Sequence, residues 1–284
     1  MKTFTINAAV ISLAACTLCV RAVSQQGLGP PTKNSGAIEI SFSEMVQHFV
    51  SGSRVIHYSG PSERIPLRIV VTPEGNVQSA TPEAEKPKWR DQAVSQAKTW
   101  RYIPFQRNGK PVLATFSEDV NIVPPEHRPQ SHSPQPSFPE IRDWNSLKIT
   151  LHRTRCYGTC PSYSLAISGD GSVVYRGDAF VRYCGDLRGQ VSTRVSRQLV
   201  QMFSAADYFN LFDRYAMRAT DLPTYTTSIS FDEKSKSVID YDGLWVGMPE
   251  AVMDIEDSVD RLAGPRVWAK ESDANGDLHH PCRR

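Results

Sequence analysis

Residues 147–176 read LKITLHRTRCYGTCPSYSLAISGDGSVVYR, and this run decides the fold class. Apolar and polar residues alternate through 147–154, the two-residue period of a half-buried strand. Residues 163–167 (YSLAI) and 172–176 (SVVYR) repeat the period on either side of Ser168-Gly169-Asp170-Gly171, a tight-turn sequence. Strands joined this closely are antiparallel, because a parallel pair needs a crossover of a dozen residues or more.

Downstream, residues 193–206 (TRVSRQLVQMFSAA) place Val195, Leu199, Met202 or Phe203, and Ala206 on one helical face, with Ser192 or Thr193 as cap. Residues 226–231 and 236–241 form a second hairpin across Asp232-Glu233-Lys234-Ser235. A last helix opens at Pro249, carries Val252, Ile255, Val259 and Leu262 as its apolar stripe, and stops at Gly264-Pro265. Its acids Glu250, Asp254, Glu256, Asp257 and Asp260 are expected mostly on its outer side, as a solvated face, with cation binding as the alternative reading. Trp268 is expected to pack back on the core.

Upstream, a first α+β unit covers 38–123. Residues 41–50 suit a short amphipathic helix capped by Ser41 or Ser43. Residues 64–72 alternate as a strand, Pro73-Glu74-Gly75-Asn76 turns, and residues 76–80 return. Residues 88–100 set Trp89, Ala93, Ala97 and Trp100 at helical spacing. Asn108-Gly109 marks a hairpin before a strand over 112–123. Between the two units, residues 124–140 (PPEHRPQSHSPQPSFPE) carry six prolines and almost no aliphatics, so a semi-extended linker is expected over 124–145. The chain thus divides into a lead-in at 25–37, a domain at 38–123, that linker, a second domain at 146–270, and a polar tail at 271–284 expected to be disordered. The fold class is α+β: two small domains, each an antiparallel sheet with one or two helices.

The N-terminus reads as an export signal. Lys2 supplies the positive charge, residues 8–20 are apolar, and Ala22-Val23-Ser24 gives small residues for cleavage after Ser24. The apolar run is shorter than the ~20 residues a spanning helix needs. Leu13-Ala14-Ala15-Cys16 is a second processing reading, a lipobox with cleavage before Cys16 and an acyl anchor. Either reading puts the protein in the periplasm, outside the cell, or on the outer membrane as a lipoprotein. Any contact with membrane is then through that anchor.

Export makes disulfides the first reading of the cysteines. Cleavage after Ser24 leaves Cys156, Cys160, Cys184 and Cys282, which allow three pairings. A Cys156–Cys160 bond over a Gly turn is one reading. Cys156–Cys184 is its rival, because both lie fourteen residues from Asp170. A redox pair activated by Arg153 and Arg155 is a further reading. A metal site lacks a suitably spaced second pair of ligands, and His279-His280-Pro281-Cys282 reads as solvated tail.

Two ordered sets of motifs carry resemblances. Pro73-Glu74-Gly75-Asn76-Val77, Gln92-Ala93-Val94-Ser95-Gln96-Ala97, Trp100-Arg101-Tyr102-Ile103-Pro104 and Asn108-Gly109-Lys110-Pro111-Val112 follow in the order of the TonB C-terminal domain. Over about 60–125 the chain resembles that family, which implies a sheet edge able to accept an extended peptide. Cys156-Tyr157-Gly158-Thr159-Cys160-Pro161, with Tyr163-Ser164-Leu165, Asp170-Gly171 and Thr220-Asp221-Leu222-Pro223-Thr224, is similar to an uncharacterised bacterial family with a C-[FY]-G-x-C-P signature. That resemblance covers about 147–268. It marks Arg155, Tyr157, Gly158, Pro161 and Asp221 as residues of interest and implies no activity.

Net charge is +2 with pI near 8.2, so nothing points to nucleic acid. No GxSxG, HExxH, Walker A or GxGxxG motif occurs, and no catalytic, cofactor or metal residues are assigned. The expected function is a non-enzymatic, exported envelope module binding a protein or peptide through its sheet edge. The alternatives are a TonB-type energy transducer in transport across the outer membrane and a thiol enzyme using Cys156 or Cys160.

Overall fold

A computed structural model describes residues 36–85, 88–129, 138–270, 273–274 and 282. The processing sites at Cys16 and Ser24 lie outside these residues. The architecture is α+β and dominated by antiparallel sheet.

The N-terminal part runs β1 (Ile38–Glu39), α1 (Phe42–His48), β2 (Phe49–Ser51), β3 (Val55–His57), β4 (Glu63–Val71), β5 (Val77–Pro82), α2 (Arg90–Ala97), β6 (Arg101–Tyr102), β7 (Gln106–Arg107), β8 (Lys110–Pro111) and β9 (Ala114–Val123). The main sheet has the order β1-β9-β4-β5, and β3 also pairs with β9. β4 alternates because Ile65, Leu67 and Ile69 face a core shared with Ala93, Ala97, Trp100, Phe105 and Phe116. Gly75, at φ +86°, makes the β4–β5 turn, and a Cβ there would sit 2.0 Å from the Tyr102 carbonyl oxygen. Asn108 and Gly109 both take positive φ, as a two-residue hairpin turn requires. β1 and β3 are too short to show a period; parallel pairing to the two ends of β9 makes them strands.

The C-terminal part contains β10 (Lys148–Arg153), β11 (Ser162–Ser168), β12 (Ser172–Ala179), β13 (Gly185–Gln190), α3 (Thr193–Ala205), β14 (Arg214–Ala216), β15 (Tyr225–Phe231), β16 (Lys234–Tyr241) and α4 (Glu250–Ala263). Its seven strands have the order β13-β12-β11-β10-β15-β16-β14, antiparallel except for β14 against β16. Ser192 caps α3 by accepting from Arg194 N. Leu199 and Phe203 of α3, and Val252, Ile255 and Val259 of α4, share one core with Ile149, Leu151, Leu165 and Ile167. The Trp268 indole donates to Ala263 O at 3.0 Å and packs against this core.

From Gly36 onward the chain is one compact unit. The described ends of the Pro-rich segment lie on the second sheet: His127 N donates to Gly247 O at 2.7 Å, and the Phe138 ring packs on Phe209 and Phe231. The acids of α4 correct the sequence expectation, since their face is not a solvated one. Glu250 accepts from Ser53 Oγ and Arg54 N, both at 2.6 Å. Arg54, its side chain 5% exposed, donates to Asp257 at 2.5 Å and lies 3.8 Å from Asp254. Glu256 is buried and accepts from Thr227 Oγ1 at 3.2 Å. An acid can face inward where a partner element supplies a cation or a donor, and single-helix periodicity cannot see that partner.

Candidate functional site

β10 ends in Arg153, on the same side of the strand as the buried Ile149 and Leu151. A charge on a core face needs partners. Its Nη1 donates to the Tyr163 hydroxyl at 3.3 Å, its Nη2 donates to the Tyr225 hydroxyl, and Nη1 lies 3.6 Å from Asp260 of α4. The Tyr163 hydroxyl donates to the same Asp260 carboxylate. The guanidinium stacks 4.3 Å from the Tyr225 ring centroid. Arg153 Nε is buried without a partner among the described residues.

Burial pushes Tyr163, Tyr175 and Tyr225 above the ordinary phenol range, so all three are neutral near pH 7. Burial works against the Arg153 charge, but its polar partners outweigh it and the group stays cationic. Asp260 is the anion among those partners; burial lifts it to about 6, against the pull of Arg153.

These residues floor a cleft of about 710 Å³ lined by the C-terminal part together with α1. One wall is Val46 and Gln47 of α1. Another is the Cys156–Cys160 loop with Pro161. A third is Phe180, Val181 and Arg182 after β12, and Pro265 with Arg266 after α4 closes the rim. The lining is mostly apolar and aromatic, with a few convergent polar groups, and its volume falls in the range of small-molecule and peptide pockets.

The structure joins Cys156 to Cys160, with Cα atoms 5.6 Å apart, and Cys184 to Cys282. The Cys156–Cys184 alternative therefore does not form. The hairpin register it assumed breaks at Ser162–Tyr163, and β10 ends at Arg153, short of Cys156. The reading of the tail as free is also corrected: Cys282 is tied to Cys184, and Ala274 bridges Tyr183. His279 and His280 lie outside the described residues. Among the described residues, no group of three His, Cys, Asp or Glu could hold a metal.

The motif residues separate by position. Gly158 and Pro161 line the cleft, as do both cysteines of the loop. Gly158 N donates to Cys156 Sγ at 3.2 Å. Tyr157 is 90% exposed, and its N–H donates to Asp221 O at 3.1 Å. Thr224 N donates to Thr154 Oγ1 at 2.9 Å, so the Thr220–Thr224 segment braces the cysteine loop from a distant part of the chain. Arg155 points to Asp178 instead, in a two-pronged pair at 2.9 and 3.0 Å. Sequence reading assigned no role to Tyr163, Tyr175, Tyr225 or Asp260. A signal existed for two floor residues: Arg153 shares the two-residue register of Ile149 and Leu151, and Asp260 follows Val252 and Glu256 at i+4 steps.

Fold and site define an α+β protein of two main sheets with a ligand-sized cleft beside a disulfide loop. Residues 147–263, which supply most of that cleft, match a family described as Domain of unknown function (DUF6438). No curated protein matches the chain.

Proposed function

We propose that the chain is an exported, non-enzymatic module of the bacterial cell envelope that binds a protein or peptide in this cleft. The carrying observation is the cleft itself: apolar and aromatic walls from the C-terminal part and from α1 around a largely buried, hydrogen-bonded arginine. Export rests on the leader-like residues 1–24. The order over 63–123, two strands, a helix, three two-residue strands and the long β9, supports retaining the TonB-like reading of the first sheet. Edge addition of a peptide to β9 is less favoured than the cleft. β1 already pairs at Ala114 and Thr115, and β3 at Asn121–Val123, which leaves only Phe116–Val120 of that edge.

The test is site-specific photo-crosslinking in intact envelopes. A benzophenone side chain at Gln47 is expected to give protease-sensitive adducts, and one at Val174, exposed on β12, is not. Equal adducts at both positions, or none at Gln47, would overturn the cleft reading. The non-enzymatic part predicts no acceleration of insulin reduction by dithiothreitol. Acceleration that disappears in Cys156→Ser would favour the thiol-enzyme alternative.

A further inference from the structure

We infer that Phe180 is the specificity-determining residue of the cleft, and that its ring grips an apolar side chain of the bound peptide. This rests on the cleft-binding reading above and names what that site selects. Phe180 follows β12 directly and lines the cleft. Its φ is +52°, in the left-handed region. Of the seven non-glycine residues at positive φ among those described, six are Asn, Asp or Glu, and Phe180 is the only aromatic one. Asn and Asp enter that region at low cost, whereas a bulky side chain there is strained.

The backbone accounts for the turn but not for the ring. A bulge ends β12: Ser162 pairs with Ala179 and Tyr163 with Gly177, so Asp178 is the extra residue. Arg155 and Ser162 both donate to the Asp178 carboxylate, which fixes the chain just before Phe180. Just after it, Val181 and Tyr183 are buried, and the chain returns over Gly177, where a Cβ would sit 2.0 Å from the Tyr183 carbonyl oxygen. Gly or Asn would hold the left-handed position in this turn without the penalty. A ring kept there needs a compensating contact, and the cores do not supply it: Phe180 is half-buried and packs on neither. Strain of this kind persists at ligand clamps, where it presets a side chain for its partner.

The chemistry of the partner follows from what surrounds the ring. Val46 of α1, Pro161 of the cysteine loop, Val181 and Pro265 line the same cleft and extend its apolar surface. The charges there are answered within the protein. Arg153 meets Asp260, Glu44 attracts Arg266, and the Arg182 guanidinium lies 5.7 Å from the Tyr183 ring centroid. A polar or charged side chain entering beside Phe180 would give up water for walls that return few hydrogen bonds. An aliphatic or aromatic one gains buried apolar area instead. One such side chain seated in a pocket can carry most of an interface's binding energy.

The experiment uses the full chain with its disulfides intact, immobilised and exposed to hexapeptide mixtures of Ala, Gly and Ser that carry one fixed residue at the third position. That residue is Leu, Val or Phe in one set and Ser, Asn or Asp in the other, and retention is read by mass spectrometry. The apolar set is expected to be retained about tenfold or more over the polar set. Phe180→Asn is expected to remove most of that preference while leaving the melting temperature unchanged or higher, because Asn relieves the strain. Phe180→Tyr, which keeps the ring, is expected to keep the preference. Equal retention of the two sets overturns the inference and leaves cleft binding standing, and so does retention of neither while benzophenone at Gln47 still gives adducts. Absence of both retention and adducts overturns both readings. Full preference in Phe180→Asn, or its loss in Phe180→Tyr, removes the ring from the selecting role. A melting temperature lowered by Phe180→Asn assigns the ring to the fold and overturns the inference.

Discussion

Arg153 and Asp260 form the floor of the cleft as a buried pair, with side chains 13% and 16% exposed. Removing one member leaves the other charge buried without its opposite, and such changes cost about 3–5 kcal/mol. Arg153→Met and Asp260→Leu are each expected to lower unfolding free energy by about 3 kcal/mol in urea titrations. The double variant is expected to lose less than the sum, because it leaves no isolated charge. Strict additivity would mean that the two groups are not coupled. Arg153 was legible in the sequence as a charge on a core face, since β10 alternates strictly from Ile149. Its partners were not legible, because Tyr163, Tyr225 and Asp260 come from three other elements.

At the scale of elements, α4 joins the parts. Glu250, Asp254 and Asp257 meet Ser53 and Arg54 of the β2–β3 connection, Glu256 meets Thr227, and Asp260 meets Arg153 and Tyr163. Glu118 of β9 belongs to the same junction. Burial raises it to about 7, with Arg54 pulling it down and Asp257 and Asp119 pushing it up. Burial likewise raises Asp260 to about 6, raises Glu256 with repulsion from Asp240 added, and raises Asp240 with repulsion from Asp242 added. Asp254 moves the same way, but its side chain is 40% exposed and solvent screens its contribution. Each of these acids holds its proton in the folded chain at pH values where the unfolded chain has released it, near the ordinary carboxylate value of about 4. The native state therefore binds more protons, and stability falls as pH rises between about 4 and 7. A melting temperature higher at pH 5 than at pH 8 is expected by differential scanning calorimetry. Glu118→Gln is expected to flatten that slope, and a slope of opposite sign would contradict the junction described. The helix was legible from Val252, Ile255 and Val259; the role of its acids was not, because a helical wheel shows which residues share a face and not what the face meets.

For the whole molecule, the two disulfides act over very different lengths of chain. Cys156–Cys160 spans 4 residues of sequence and Cys184–Cys282 spans 98. Chain-entropy arguments assign roughly 2 kcal/mol to closing the short loop and roughly 4–5 kcal/mol to the long one. Cys282→Ser is accordingly expected to lower the denaturation midpoint more than Cys160→Ser, measured under non-reducing conditions. The short bond is expected to affect the cleft instead, since both its cysteines line it. Loss of the Gln47 crosslink with a smaller loss of stability than Cys282→Ser causes is the expected signature of Cys160→Ser.

The sequence by itself determined the α+β class, the positions of the long strands and helices, and the tight turns at Asn108-Gly109 and Asp170-Gly171. These follow from periodicity and turn chemistry, which act over a few residues. Tertiary structure alone decided the rest. β1 and β3 are strands only because β9 offers them a ladder, Cys184 pairs with Cys282 rather than Cys156, and the acids of α4 meet donors and cations on other elements. The cleft has the same origin: its floor draws on residues 153, 163, 225 and 260, and its wall on Val46 and Gln47 of α1. Contacts between separate elements, most of them tens to two hundred positions apart, leave no period in the chain, so no local reading could assemble them.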